Sequence, residues 1–157
     1  MEIILMTVGR TTIDFVKEGI DEYIKRLRHY VPYTILELSD IKKGGKMSIP
    51  DQKEAEADII LGALRPTDYV ILLDEHGKEY RSIEFAKAIE KIMASGYKRC
   101  VYIVGGAYGF SQRIYNIASQ KLSLSKMTFN HEMVRLFFTE QVYRAMTILR
   151  GEPYHHE

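Results

Sequence analysis

The stretch VYIVGGAYGF, residues 101–110, decides the fold. An apolar run with no charge in it breaks at Gly105-Gly106, the pattern of a parallel strand buried on both faces that ends in a turn without side chains. Further on, Leu122, Leu124 and Met127 alternate with Ser123, Ser125 and Thr128, which predicts a second short strand and its end. Residues 130–150 then carry apolar side chains on nearly every face, so the helix they predict must be covered on most sides. Tyr154, His155 and His156 close the chain, polar aromatic groups at a terminus that ordinarily frays.

The same alternation extends backward from the deciding stretch. Residues 3–8 read as a strand stopped by Gly9, and Thr11 or Thr12 can cap a helix whose inner face is Ile13, Val16, Ile20, Tyr23, Ile24 and Leu27. Val31-Pro32 ends it, and residues 33–38 form the next strand. A basic loop with Lys42, Lys43, Gly44, Gly45 and Lys46 leads to Pro50, well placed in the first turn of a helix running to about Leu64. Residues 69–73 are a strand, with Asp74, Glu75, His76 and Gly77 as its turn. Ser82 can cap a helix that buries Phe85, Ala86, Ile89, Ile92 and Met93 and ends at Gly96. Strands alternating with helices predict an α/β fold, an open, mostly parallel sheet with helices on both faces, formed as one domain over residues 1–157. In such sheets ligands gather outside the carboxyl ends of the strands, here Leu73-Asp74, Gly105-Gly106 and residues 124–129.

Composition narrows the function classes. A formal net charge of +1 over 157 residues offers no bulk positive field for nucleic acid, so any RNA is met through local patches or shape. The single cysteine, Cys100, excludes an internal disulfide framework and suits a reducing cytoplasm. No signal peptide is readable at the start, and no apolar run approaches the roughly 20 residues that span a bilayer. Val104 stands where a dinucleotide fingerprint needs glycine, and the Gly44-Gly45-Lys46 loop lacks the spacing of a P-loop. The terminal histidines have no third ligand at suitable spacing, so no metal is expected. Arg135, Glu140 and Arg144 interrupt an apolar helix. Glu140 and Arg144, one turn apart, can simply pair, and a cap or a packing contact at the helix start is the plain alternative for His131.

Taken together, VGGAYGFS, LSLSKMTFNHEMVR, EQVYRAM and the closing GEPYHHE resemble the ribosomal RNA large-subunit methyltransferases that modify a pseudouridine at N3, within the SPOUT superfamily of trefoil-knotted enzymes. The resemblance spans essentially the whole chain, including MEIILMTVGR and LLDEHGKEYRS. It implies a C-terminal trefoil knot, S-adenosyl-L-methionine as cofactor, 23S ribosomal RNA within the ribosome as partner, and a homodimer whose interface covers the last helix. It places cofactor contacts on Leu73, Gly105, Leu124, Ser125, Lys126, Met127, Thr128 and Phe129, the three strand ends already reached from topology. Candidate catalytic residues are His131, Arg135, Tyr154 and His155, with Tyr154 and His155 expected over the methyl group or the incoming base. His131 and His155 have suitable intrinsic pKa for the base the reaction needs, while Glu140 would require burial. Two positions depart from the family: His156 replaces the usual Arg or Lys, and Tyr108 a small or polar residue. Methylation of another RNA, or a non-catalytic ribosome-associated module on the same fold, are the alternatives.

Overall fold

The structure, a computed structural model, describes residues 1–41 and 46–156. Lys42, Lys43, Gly44 and Gly45 of the basic loop, and Glu157, lie outside them. Elements follow in the order β1 (Glu2–Val8), α1 (Asp14–Leu27), β2 (Tyr33–Leu38), α2 (Ile49–Ala63), β3 (Tyr69–Glu79), α3 (Ser82–Ala94), β4 (Arg99–Val104), α4 (Gln112–Ile117), β5 (Gln120–Ser123) and α5 (Met133–Leu149). The sheet runs β2-β1-β4-β3-β5, and each of its strand pairings is parallel.

The period-two geometry of the central strands sorts their side chains onto two cores. Ile3, Leu5, Ile71, Cys100 and Tyr102 meet α3 and α5 through Phe85, Ile89, Phe138 and Val142. Ile4, Met6, Val70, Leu72, Val101 and Ile103 meet α2 and α4 through Ala57, Ile60 and Ile114, and the turn before α4 through Phe110. β1 and β4 are buried on both faces for this reason, as their uninterrupted apolar runs require. Cys100 is fully buried, and burial pushes its thiol pKa up to about 12.

Five local readings change. Met93, expected on the inner face of α3, is exposed, and only Phe85, Ala86, Ile89 and Ile92 are buried. The segment after Leu73 is an excursion inside β3 rather than its end: Leu122 of β5 pairs with both Leu73 and Lys78, so residues 74–77 bulge from the ladder and the strand resumes. Gly77 makes the return possible, since a Cβ there would lie 2.6 Å from the backbone of Lys121 and Leu122. α4, a short helix with Ser111 accepting from the Arg113 amide, has no signature in the sequence, because six residues are too few for a periodic pattern. Ser82 does not cap α3; it is the first helical residue and donates to Gln141 Oε1 of α5 at 3.0 Å. Nor does Thr11 or Thr12 cap α1. The Glu132 carboxylate, from just before α5, accepts from the Ile13 amide at 2.9 Å and from the Thr12 hydroxyl at 2.7 Å. A carboxylate at the positive end of a helix satisfies the same orphan amides as a local cap, from 119 residues away.

Chain order and strand order are compatible with the C-terminal trefoil expected from the resemblance: β5 pairs on β3 at the sheet edge, and α5 returns to pack against α1 and α3.

Candidate functional site

The ends of β4 and β5 converge with the excursion inside β3, and a cleft of about 610 Å³ opens between them. Leu73 and the excursion 74–76 form one wall; the turn 104–110 forms another. Residues 122–125 and 127–129, with His131 and Val134, close the third side.

Each wall is fixed by local chemistry. Gly109 has φ +81°, a conformation side chains resist, and its amide bonds Gly106 O at 3.2 Å, which curls the turn. Gly105 lies against the ring of Phe110; a Cβ there would approach that ring within 3.0–3.2 Å. Gly106 abuts the Glu56 carboxylate of α2 on its other side, 2.7 Å from where a Cβ would stand. In the third wall the Ser123 hydroxyl donates to Ser125 O at 3.0 Å and the Met127 amide to Ser125 Oγ at 2.9 Å. That loop is braced by its own hydrogen bonds. The excursion is braced by Asp74, which accepts from the Tyr115 hydroxyl at 2.5 Å and from the His76 amide at 2.8 Å.

The cleft contains Leu73, Gly105, Leu124, Ser125, Met127, Thr128 and Phe129 of the expected cofactor contacts, together with His131. Lys126 sits in the same loop but is not among the lining residues. Arg135, Tyr154 and His155 are likewise outside the cleft of their own chain. Arg135 is only 2% exposed and points to the end of β1, donating to Gly9 O at 3.1 Å and Thr11 Oγ1 at 2.9 Å. Burial lowers its pKa, opposed by the nearby Glu37 and Glu132. Glu132 shows the reverse balance. Burial resists its charge, yet the Ile13 and Thr12 bonds and Arg135 draw its pKa down to about 2.

The tail is folded down, not frayed. The Tyr154 hydroxyl donates to Glu140 Oε1 at 2.9 Å, its ring meets Tyr143 edge-on at 4.7 Å, and the Arg144 guanidinium lies 4.7 Å from its centre. Burial, with the Tyr23 and Glu140 contacts, raises the Tyr154 pKa far above the phenol range, so it stays protonated. Glu140 pairs with Arg144 at 2.6 Å, the simple pairing that spacing allows. Having accepted from Arg144, Tyr154 and Gln141, this carboxylate is engaged rather than poised as a base. Arg144 also reaches His155 Nδ1 at 3.2 Å. A guanidinium has no acceptor, so Nδ1 accepts and a neutral His155 carries its hydrogen on Nε2.

Asp74 stands at a strand end that the sequence marks; Tyr115 and Phe110 have no such mark, since α4 itself is not legible there. Among the described residues no group of three or more His, Cys, Asp or Glu is placed to hold a metal, and no helix is long and apolar enough to cross a membrane.

Against known families, the profile described as "Predicted SPOUT methyltransferase" matches residues 1–155. The chain belongs to the SPOUT methyltransferase family. It is 52% identical to the "Ribosomal RNA large subunit methyltransferase H" of Parabacteroides distasonis over 157 residues, covering all of both chains. The proteins of the same name from Porphyromonas gingivalis and Flavobacterium johnsoniae are 50% and 48% identical, again over the full length of both. The chain is thus a methyltransferase, an activity that requires a methyl donor.

The lining fits a cationic donor with a flat heterocycle. Apolar walls from Leu73, Leu124 and Phe129 flank exposed strand-end backbone, and the described lining carries two carboxylates, Asp74 and Glu75, with no lysine or arginine. A phosphate-bearing cofactor would find no lysine or arginine partner there.

Proposed function

We propose that the chain transfers a methyl group from S-adenosyl-L-methionine to N3 of a pseudouridine in 23S ribosomal RNA, acting in the cytoplasm on the assembled ribosome. The observation that carries this is the convergence of Leu73, Gly105 and residues 124, 125 and 127–129 on one cleft, in a chain half identical over its full length to ribosomal RNA methyltransferases. When bound, the cofactor supplies an electrophilic methyl on a good leaving group, so the chain's own task is chiefly to position the acceptor and manage its proton. Backbone at 105–106 and in the 124–129 loop would hold the adenosyl end. His131, whose side chain is 69% exposed beside the cleft with Nε2 3.9 Å from Glu132 Oε2, would be within reach of RNA. Arg135 would act by position, fixing the start of α5 against the end of β1.

The working unit is proposed to be a homodimer. Phe137, Gln141 and Arg144 follow one another at helical spacing on α5, from the mouth of the cleft to the tail. Phe137 is 41% exposed beside Phe129, and Met127 is 78% exposed, an apolar surface at the cleft mouth that a single chain leaves uncovered. A second α5 crossing this face about a two-fold axis would cover Phe137 and carry the other chain's Tyr154 and His155 toward the cleft. Residues that one chain keeps apart would then form one site.

Titration calorimetry with S-adenosyl-L-methionine tests the cofactor. Methyl transfer to whole ribosomes, to naked 23S RNA and to other RNAs, with nucleoside mass spectrometry of the product, tests the substrate. N3-methylpseudouridine formed on ribosomes is the expected result. Cofactor binding with transfer only to another RNA would favour the first alternative; absence of binding would favour a non-catalytic module. Light scattering at micromolar protein should give a dimer mass, and a clean monomer would refute the assembly.

A further inference from the structure

We infer that Asp74 holds a fixed negative charge at the cleft that raises affinity for the cationic methyl donor relative to its neutral product. This deepens the function proposed above and rests on it. Transfer breaks the bond from sulfur to methyl and forms the bond from methyl to N3. The sulfur keeps the electron pair and becomes a neutral thioether, while the N3 proton leaves to a base or water. The ligand therefore loses one unit of positive charge during the reaction, and a nearby carboxylate responds to that loss.

The carboxylate is held in place. Asp74 opens the excursion that leaves β3 after Leu73, and both its oxygens are occupied: Oδ2 by the Tyr115 hydroxyl at 2.5 Å, Oδ1 by the His76 amide at 2.8 Å. Tyr115 is itself fixed edge-on against Phe110, ring centres 5.8 Å apart, on the wall opposite. Burial discourages charge on Asp74, but the Tyr115 and His76 bonds win and keep its pKa below the usual range. Burial and the same bond push the Tyr115 phenol to about 12, so it remains a donor at neutral pH. The other titratable groups do not cancel this charge. Glu75 and His76 are 62% and 81% exposed and screened by water, and Lys121 lies over the Tyr115 ring, its ammonium 5.7 Å from the centre, and makes no salt bridge to Asp74. With no lysine or arginine in the described lining, the fixed charges that the cleft wall presents to its ligand are the carboxylates of Asp74 and Glu75. Hydrogen bonding to the ligand alone would not distinguish donor from product, since both carry the same ammonium and carboxylate. Net charge does.

The test is calorimetric titration of the full-length protein with S-adenosylmethionine and with S-adenosylhomocysteine. Asp74→Asn should weaken the donor about tenfold and the product less than threefold. Tyr115→Phe, which frees the carboxylate to swing toward solvent, should move the ratio in the same direction by a smaller factor, and Glu75→Gln should leave it unchanged. Equal weakening of both ligands by Asp74→Asn, or none, overturns the inference while leaving the cofactor assignment standing. Failure of the unmodified protein to bind the donor overturns the functional proposal itself. Should Asp74→Asn not fold, Tyr115→Phe decides: an unchanged ratio overturns the inference.

Discussion

The cleft and the tail make opposite use of the same chain. The cleft is assembled from backbone: strand ends, glycines and short loops braced by Ser123, Ser125 and Asp74, with no lysine or arginine among the lining side chains. The tail is assembled from side chains on α1 and α5, a cluster of Tyr23, Tyr143, Tyr154, Glu140 and Arg144 with His155 attached. One region suits a small ligand approached by amides and carbonyls. The other presents aromatic rings, a guanidinium and an imidazole N–H, the groups that stack on and orient an unpaired base. On the proposed function, cofactor binding and acceptor handling are separable within one chain, and perturbing each in turn should show two different kinetic signatures.

The largest effect is expected where the cleft depends on the ladder. Gly77→Val would drive a branched side chain into the backbone of Lys121 and Leu122, so β5 cannot pair with β3 after the excursion. A loss of more than about 3 kcal/mol in urea unfolding is expected, with cofactor binding lost as well. Retention of both would show that β5 can shift to make room.

Truncation after Gly151 attacks the tail alone. It removes no lining residue of the cleft, so affinity for S-adenosyl-L-methionine should stay within about twofold while methyl transfer to ribosomes falls about a hundredfold. That pattern would place the tail in the chemistry or the RNA contact. Transfer at the normal rate would make the folded tail a packing device only.

Glu132 links the two regions, next to His131 of the cleft and at the base of the helix that bears the tail. Its folded pKa lies below the ordinary 4.5, so its contribution is complete above that value and disappears as pH falls toward about 2. Between pH 6 and pH 3 the chain should lose roughly 2 kcal/mol more stability than Glu132→Gln does over the same range. Parallel denaturation curves for the two proteins would contradict the cap.

The smallest effect sharpens the cleft itself. Gly105→Ala places a Cβ 3.0–3.2 Å from the Phe110 ring, which must yield by a few tenths of an ångström into the cleft wall. About tenfold weaker cofactor binding is expected in a folded protein, through displacement of Phe110 rather than direct contact with the ligand. Unchanged affinity would show that Phe110 does not shape the site.

What the sequence determined by itself is whatever a local pattern encodes. Uncharged runs at β1 and β4 specify strands buried on both faces, the period of α1 and α3 specifies their inner sides, and alternation of the two specifies the sheet. Breaks at Gly105 and Leu124 mark strand ends and the break after Leu73 marks the excursion of β3, and the topology of an open parallel sheet makes that edge the expected ligand site. The resemblance adds the chemistry to those positions. Tertiary structure alone decided what depends on distant partners. The capping of α1 by Glu132 instead of Thr11 or Thr12 joins groups 119 and 120 residues apart, and no local rule can choose among acceptors it does not see. The return of β3 past residues 74–77 exists because Leu122 can pair twice, which the turn-like sequence of that segment conceals. Arg135 reads as a candidate for catalysis because a charge in an apolar helix needs a partner; only the packing of α5 against the end of β1 reveals that its partners are Gly9 and Thr11.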